Sequence, residues 1–142
     1  PMAIPNWKMH DIVETSGGVV VIEENCTGAR YYSKIMDVDS LPDDLNELIT
    51  ALADRYLDLD CACFTPNDPR LENILKYAEE FKVDGVIYYC LQNCLTYSIE
   101  VYKAERALKE KGIPFLKIET DYGTEDVGQL YTRVEAFIEM LK

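Results

Sequence analysis

Short apolar runs alternate with longer segments of helical period along this chain, and this alternation constrains its fold more strongly than any other feature. Three runs predict β-strands, at residues 18–24, 85–91 and 114–119. The first two are almost wholly apolar, as expected of strands that are covered on both faces. Strands joined by crossover helices form a parallel sheet. The sequence therefore predicts a three-layer α/β/α domain with a mostly parallel sheet of the Rossmann or flavodoxin type.

Helical periods fill the spaces between these runs. Apolar residues recur at the 3.6-residue period in four segments, over residues 45–56, 71–81, 97–108 and 127–141. A fifth helix is predicted over residues 7–15, because Asn6 can cap its start and the pair Gly17-Gly18 can stop it.

Turn residues at the helix ends support these boundaries. Asp68 precedes Pro69, which predicts a capping carboxylate followed by a proline in the first turn. Lys111 and Gly112 supply a cation and a permissive glycine at the end of a later helix. Neither an internal repeat nor a low-complexity linker interrupts the sequence, so residues 1–142 are predicted to form a single domain.

The charge balance argues against two classes of partner. The chain has 26 acidic and 14 basic side chains, a net charge of −12, and it has no basic run. Such a surface repels nucleic acid and anionic membranes. The longest uncharged stretches also fall far short of the roughly 20 apolar residues that span a bilayer. The sequence thus predicts no nucleic-acid partner and no membrane association.

The cysteine count indicates the compartment. Five cysteines is an odd number, and the N-terminal residues do not resemble a signal peptide. Both observations disfavour a secreted disulfide framework. A reducing cytoplasm is therefore the predicted location.

Polar and sulfur-bearing residues follow each predicted strand, at residues 24–30, 92–94 and 120–123. In a parallel α/β sheet these loops share the edge where ligands bind. Cys94 is predicted to lie at the N-terminus of the helix that begins near Thr96. Free N–H groups and the helix dipole there favour the thiolate, which binds iron or attacks electrophiles. The alternative is a half-buried structural cysteine.

The other candidates are weaker. Cys90 lies within an apolar strand and is predicted to be a core residue. The pair Cys61 and Cys63 is a weak metal signal, in a stretch that could be a further short strand. Cys26 lies in a loop without a known partner, and His10 is expected to be solvated or to cap a helix.

Several parts of the sequence resemble a known family. Five blocks carry the resemblance, at residues 83–87, 92–94, 107–114, 118–122 and 128–137. Matching pieces occur near residues 5–8, 19–30 and 62–67. They are similar to the C-terminal domain of the 2-hydroxyacyl-CoA dehydratase D-component family. That family also takes in benzoyl-CoA reductase subunits and double-cubane cluster proteins. The resemblance covers nearly the whole chain but only part of a family member, so we expect Pro1 to mark a domain boundary within a longer protein.

The resemblance implies iron–sulfur chemistry in anaerobic metabolism. Family subunits hold a cluster with three cysteines, two from an earlier domain and one that corresponds to Cys94. In the dehydratases the substrate is a 2-hydroxyacyl-CoA, and an ATP-hydrolysing activator delivers the electron that makes a ketyl radical. The implied partners are the upstream domain, a related second subunit, the activator and the acyl-CoA.

Several expectations follow from the resemblance. One cysteine alone should not retain an iron–sulfur cluster, so the chain is expected to fold but to be inactive by itself. Tyr131 and Leu95 depart from the family pattern, which leaves the substrate open. Two alternatives remain: an ATP-dependent reductase or electron-transfer protein of the double-cubane type, suggested by Cys26 and Cys63, and a non-catalytic α/β scaffold.

Overall fold

A computed structural model describes residues 7–41, 43–64 and 66–142 of the chain. In chain order its elements are α1 (Lys8–Thr15), α2 (Ala29–Tyr32), a 3-10 turn (Val38–Ser40), α3 (Leu45–Leu57), α4 (Asp68–Glu80), β1 (Val86–Leu91), α5 (Leu95–Glu110), β2 (Phe115–Thr120) and α6 (Val127–Met140). The predicted α/β class and all five predicted helices are confirmed.

The two strands form a small parallel sheet. Val86 pairs with Phe115 at one end, and Leu91 pairs with Thr120 at the other. Helix α5 crosses from the end of β1 to the start of β2, as a parallel pair requires. It stops at Gly112, whose φ of +72° is the left-handed conformation that glycine adopts readily. Within the described residues the sheet has two strands, fewer than the predicted Rossmann-like sheet.

Two apolar clusters pack against the sheet. Because side chains alternate along a strand, β1 contributes to both clusters. Tyr88 and Cys90 join α5 in one cluster, whereas Ile87 and Tyr89 pack against the other. The second cluster joins α1 to α6, and its most buried members are Ile118 and Val134. Helices α4 and α5 therefore lie on the side opposite to α1 and α6.

The predicted strand at residues 18–24 is wrong. This segment is not a β-strand, because it forms no backbone ladder with β1 or β2. Val19 and Val21 are exposed, whereas Val20 and Ile22 between them are half-buried. A cavity of about 550 Å³ separates the segment from the free edge of β1. The segment therefore keeps the alternation of a strand without the backbone pairing.

One detail of the helix ends differs from prediction. Asp68 is the first residue of α4 and not its cap; Asn67 occupies the cap position, without a capping hydrogen bond from its side chain. Asn6, the predicted cap of α1, lies outside the described residues. Gly17 does end α1 as predicted, with a φ of +87°.

Helix α3 differs from the other long helices because none of its residues is buried. Asp44 caps it by accepting hydrogen bonds from the backbone N–H groups of Asn46 and Glu47. Its predicted apolar stripe faces solvent, with Leu45, Ile49, Leu52 and Tyr56 all exposed. The sequence pattern predicted the helix correctly but not the exposure of its apolar face.

None of the helices in the described part of the chain is both long and apolar enough to cross a bilayer.

Candidate functional site

Cys94 occupies the N-cap position of α5, close to its predicted place. Asn93 precedes it with a φ of +67°, so the chain turns sharply between the end of β1 and the helix. The Cys94 thiol is partly exposed and lies 3.7 Å from the Thr96 hydroxyl. The geometry leaves the sulfur accessible to a ligand.

Cys90 is a core residue, as the sequence predicts. Its side chain is fully buried, and its Sγ lies 3.4 Å from the Ser98 hydroxyl and 3.4 Å from the Leu91 carbonyl oxygen. It also lies 3.8 Å from the Cys94 carbonyl oxygen, to which it donates. Cys90 therefore supports the turn that holds Cys94, and its own sulfur is not accessible.

A partly buried lysine, Lys8, joins α1 to the loop that follows β2. Lys8 Nζ donates to Thr120 Oγ1 at 2.8 Å, to the Gly123 carbonyl oxygen at 2.6 Å and to Asp126 Oδ1 at 2.8 Å. The Thr120 hydroxyl in turn donates to Asp126. Burial alone would raise the pKa of Asp126, but the hydrogen bonds from Lys8 and Thr120 outweigh it and lower this pKa.

The turn that follows β1 is joined to the last residue of β2 at the carboxyl edge of the sheet, as expected for parallel strands. The backbone N–H of Gln92 donates to the Thr120 carbonyl oxygen at 2.8 Å, which joins the Cys94 turn to the end of β2.

Tyr89, the fourth residue of β1, has a buried hydroxyl without a hydrogen-bond partner among the described residues. Burial is the first cause that raises the pKa of Tyr89, followed by the nearby Tyr122, Asp126 and Asp121.

A cluster of paired charges, called here the arginine cluster, joins the loop after residue 24 to the first turns of α5. Its members come from four parts of the chain and are Glu24, Arg30, Arg70, Tyr88, Tyr97 and Glu100. The cluster contains two arginines and two glutamates, so it is electrically balanced.

Both arginines of the cluster are buried. Arg30 Nε donates to Glu24 at 2.6 Å, and its Nη2 donates to the Tyr97 hydroxyl. Arg70 Nε donates to the other oxygen of Glu24 at 3.2 Å, and its Nη1 donates to Glu100. The Arg70 guanidinium carbon also lies 4.6 Å from the centre of the Tyr97 ring.

The electrostatics of the cluster follow from burial and pairing. Burial alone would lower the pKa of both guanidinium groups, but the Glu24 carboxylate raises it above the ordinary value. Burial raises the pKa of Tyr97 to about 12, so its hydroxyl stays protonated. Because both guanidinium groups are already paired with carboxylates, this cluster fixes the structure and does not offer a free cation to a phosphate.

The remaining cysteines lie on two loops near Arg30. Cys26 accepts a long contact of 3.9 Å from Arg30 Nη1. Cys61 and Cys63 belong to a turn between α3 and α4, so the short strand considered for this stretch is absent there. The sequence had no signal that would place these loops together.

His10 differs from its predicted role. Its Nε2 lies 2.5 Å from Glu23, and its ring stacks on Trp7 at 4.9 Å between ring centres. It is neither solvated nor a helix cap. It ties α1 to the extended segment that follows it.

The arginine cluster and Lys8 have roles that sequence reasoning missed. A signal for Arg70 does exist, because it precedes Ile74 by four residues and Ala78 by eight, on the apolar side of α4. A charged residue in such a stripe indicates a buried ion pair. Lys8 has no comparable signal, since its acceptors lie more than 110 residues away.

The described residues show no complete ligand set for a metal cluster. Within residues 7–41, 43–64 and 66–142, there is no group of three or more cysteine, histidine, aspartate or glutamate side chains placed to bind a metal ion. Iron–sulfur clusters are held by several thiolates. Cys94 therefore fits a cluster as one ligand only.

The geometry defines an α/β chain with a partly exposed thiol at the carboxyl end of a parallel strand pair. Comparison with known proteins then identifies the family. The family profile described as 2-hydroxyglutaryl-CoA dehydratase, D-component, matches residues 1–141. The chain belongs to this family, which confirms the resemblance predicted from its sequence blocks.

Three relatives illustrate the match. YjiM of Escherichia coli strain K12, which its name classes provisionally as a dehydratase subunit, is 45% identical over 130 residues, or 91% of this chain and 32% of its own length. The beta subunit of (R)-phenyllactyl-CoA dehydratase from Clostridium sporogenes is 28% identical over 92% of this chain and 33% of its own length.

Subunit beta of (R)-2-hydroxyglutaryl-CoA dehydratase from Acidaminococcus fermentans is 32% identical over 78% of this chain and 30% of its own length. The chain therefore spans about a third of the length of these relatives. It is similar to subunits of dehydratases, two of which are named as acting on acyl-CoA thioesters.

Proposed function

We propose that these residues form one α/β domain, over residues 1–142, of a 2-hydroxyacyl-CoA dehydratase-type subunit, and that Cys94 supplies one thiolate ligand to its iron–sulfur cluster. The other ligands come from protein outside these residues. In this proposal the complete subunit works in the cytoplasm, and its sheet follows the three-layer Rossmann-like plan.

The position of Cys94 is the observation that carries this proposal. Its sulfur is partly exposed at the N-cap of α5, while Cys90, four residues earlier, is sealed in the core. Because the described residues lack a set of three ligands, the proposed cluster lies at a boundary between this domain and further protein.

The proposed reaction is removal of water from a 2-hydroxyacyl-CoA. The cluster, when bound, would supply a Lewis-acidic iron and a single electron to the thioester carbonyl. The electron comes from an ATP-dependent activator protein, and a related second subunit completes the enzyme. The role of this chain's own residues is to hold the Cys94 turn, through Cys90 beneath it and through the arginine cluster at Tyr97 and Glu100.

The test compares two cysteine variants of the gene product that carries these residues, purified without oxygen. We expect Cys94→Ser to lower its iron and acid-labile sulfide content and to change its electron paramagnetic resonance spectrum. Cys90→Ser is the matched control. Its sulfur is buried, and serine can keep the contacts to Ser98 and Leu91, so iron content should stay at the wild-type level.

The same samples test the reaction class. Addition of a 2-hydroxyacyl-CoA should perturb the cluster spectrum of the wild-type protein and leave that of Cys94→Ser unchanged. A wild-type iron and sulfide content of about twice one four-iron cluster, with no response to the acyl-CoA, would favour the double-cubane reductase instead. A full cluster in Cys94→Ser would contradict the proposed ligand.

A further inference from the structure

Cys61 and Cys63 lie side by side on the turn between α3 and α4. The backbone N–H of Phe64 donates to the Cys61 carbonyl oxygen at 3.0 Å, which closes a four-residue turn. The Asn67 side chain donates to the same carbonyl oxygen at 2.8 Å. These two hydrogen bonds hold the backbone of the turn in place.

Exposure to solvent differs among the residues of this turn. Ala62, between them, is buried in the cluster that also contains Cys90 and contacts Cys94. Cys63 is exposed and Cys61 is partly exposed. Solvent therefore reaches both cysteines, Cys63 more than Cys61.

The spacing of the pair suits a covalent bond. Consecutive Cα atoms are about 3.8 Å apart, so two Cα atoms that bracket one residue in a turn fall within the range of roughly 4.4–6.8 Å found in disulfides. The Cys61 thiol is the first cause that raises the pKa of the Cys63 thiol, which agrees with the short spacing of the two cysteines. Arg30 lies close enough to act in the opposite direction.

We propose that Cys61 and Cys63 form a redox-active dithiol, which closes reversibly to a disulfide by exchange with a low-molecular-weight disulfide. One thiolate attacks a sulfur of the small disulfide and releases one small thiol, leaving a mixed disulfide on the protein. The second cysteine, as its thiolate, attacks this bond and releases the other small thiol. The protein dithiol is oxidised by two electrons, and the small disulfide is reduced to two thiols.

This inference does not depend on the iron–sulfur proposal, because both sulfurs belong to described residues and neither is the proposed cluster ligand. An exposed disulfide in so short a loop is easily reduced, which is the property of regulatory disulfides and not of structural ones. The turn also packs in the same cluster as Cys94, so the site would report oxidising conditions beside the proposed oxygen-sensitive centre.

The probe is oxidised glutathione, added to the reduced 142-residue chain at neutral pH. Trypsin cuts after Arg55 and Arg70, and the peptide of residues 56–70 contains Cys61 and Cys63 but none of the other three cysteines. We expect this peptide to lose the mass of two hydrogen atoms and to retain no glutathione. Treatment with a dithiol reductant should restore the original mass.

Variants that lack one of the two cysteines should trap the mixed disulfide between the protein and glutathione. In Cys61→Ser and in Cys63→Ser the peptide should gain one glutathione, because no second thiol is present to displace it. Cys90→Ser is the control that should leave closure unchanged. A glutathione retained on the wild-type peptide, a bond from Cys63 to Cys26, or an unreacted peptide would each overturn the proposal.

Discussion

Arg70 holds two carboxylates and two aromatic rings from a position where only 3% of its surface is exposed. Glu24 and Glu100 accept its hydrogen bonds, and both glutamates are themselves largely buried. A buried ion pair contributes little net stability compared with an apolar replacement of the whole group, but removal of one partner leaves a buried charge uncompensated. Substitution of a single charged member of the arginine cluster is therefore expected to destabilise the fold.

Replacement of Arg70 by methionine should lower the free energy of unfolding by about 3–5 kcal/mol, because Glu24 and Glu100 lose their shared cation. Urea denaturation of the isolated chain measures this loss. Arg106→Met is the control, since Arg106 pairs with Glu110 on an exposed face of α5. Its cost should be about 0.5 kcal/mol or less. Equal effects of the two substitutions would show that the arginine cluster does not stabilise the fold.

Residue-level predictions from the sequence succeeded where the answer depends on local neighbours. Cys90 lies in an apolar run and is buried, and Cys94 follows a strand and begins a helix, as the sequence pattern indicates. Arg30 contacts Tyr97, which is 67 residues away, and the hydrogen-bond acceptors of Lys8 are 112 or more residues away. The local sequence pattern does not indicate contacts between residues so far apart, so neither contact was predictable.

At the scale of elements, α3 and α5 make opposite use of similar sequence patterns. Helix α5 buries Leu108 completely, together with Val101 and Ala104. Helix α3 has an equally regular apolar stripe but buries none of its residues. Most helical stability in proteins comes from packing of the apolar face. The stability of the isolated chain should therefore depend on α5 and hardly at all on α3.

Matched leucine truncations test this difference. Leu108→Ala should cost about 2–5 kcal/mol, because it removes a fully buried side chain and leaves a cavity. Leu45→Ala removes the same atoms from a side chain that is 70% exposed, and its cost should stay within about 0.5 kcal/mol. Thermal or urea unfolding of the 142-residue chain measures both. A large cost at Leu45 would mean that α3 is covered in solution.

The strands show why the fold was predictable only in part. The apolar runs at residues 85–91 and 114–119 correspond closely to β1 and β2. The run at residues 18–24 is also mostly apolar, yet it lacks a backbone ladder. A strand is completed by a partner that is distant in sequence. Apolar content therefore indicates a candidate strand, whereas pairing depends on the assembled sheet.

At the scale of the whole molecule, the chain has the core of a stable domain but an incomplete ligand set for the proposed cofactor. Two apolar clusters cover the two sides of the sheet. The described residues offer no group of three metal-binding side chains. We therefore expect this chain to fold without binding the proposed cofactor.

The isolated 142-residue chain should unfold cooperatively yet bind no iron–sulfur cluster. After anaerobic incubation with iron and sulfide, followed by gel filtration, we expect no cluster absorbance in the protein fraction. The gene product that carries these residues, treated in the same way, is the positive control. A stable, stoichiometric cluster on the isolated chain would show that its own cysteines suffice and would contradict the shared-ligand proposal.

The unpaired edge of β1 has a practical consequence for handling the protein. Among the described residues no strand pairs with this edge, which lies beside the 550 Å³ cavity, so its backbone N–H and C=O groups can pair with a strand from a neighbouring molecule. The net charge of −12 keeps molecules apart at low ionic strength, and added salt screens this repulsion. Concentrated protein should therefore remain soluble longest at low ionic strength, and added salt should favour association through the edge of the sheet.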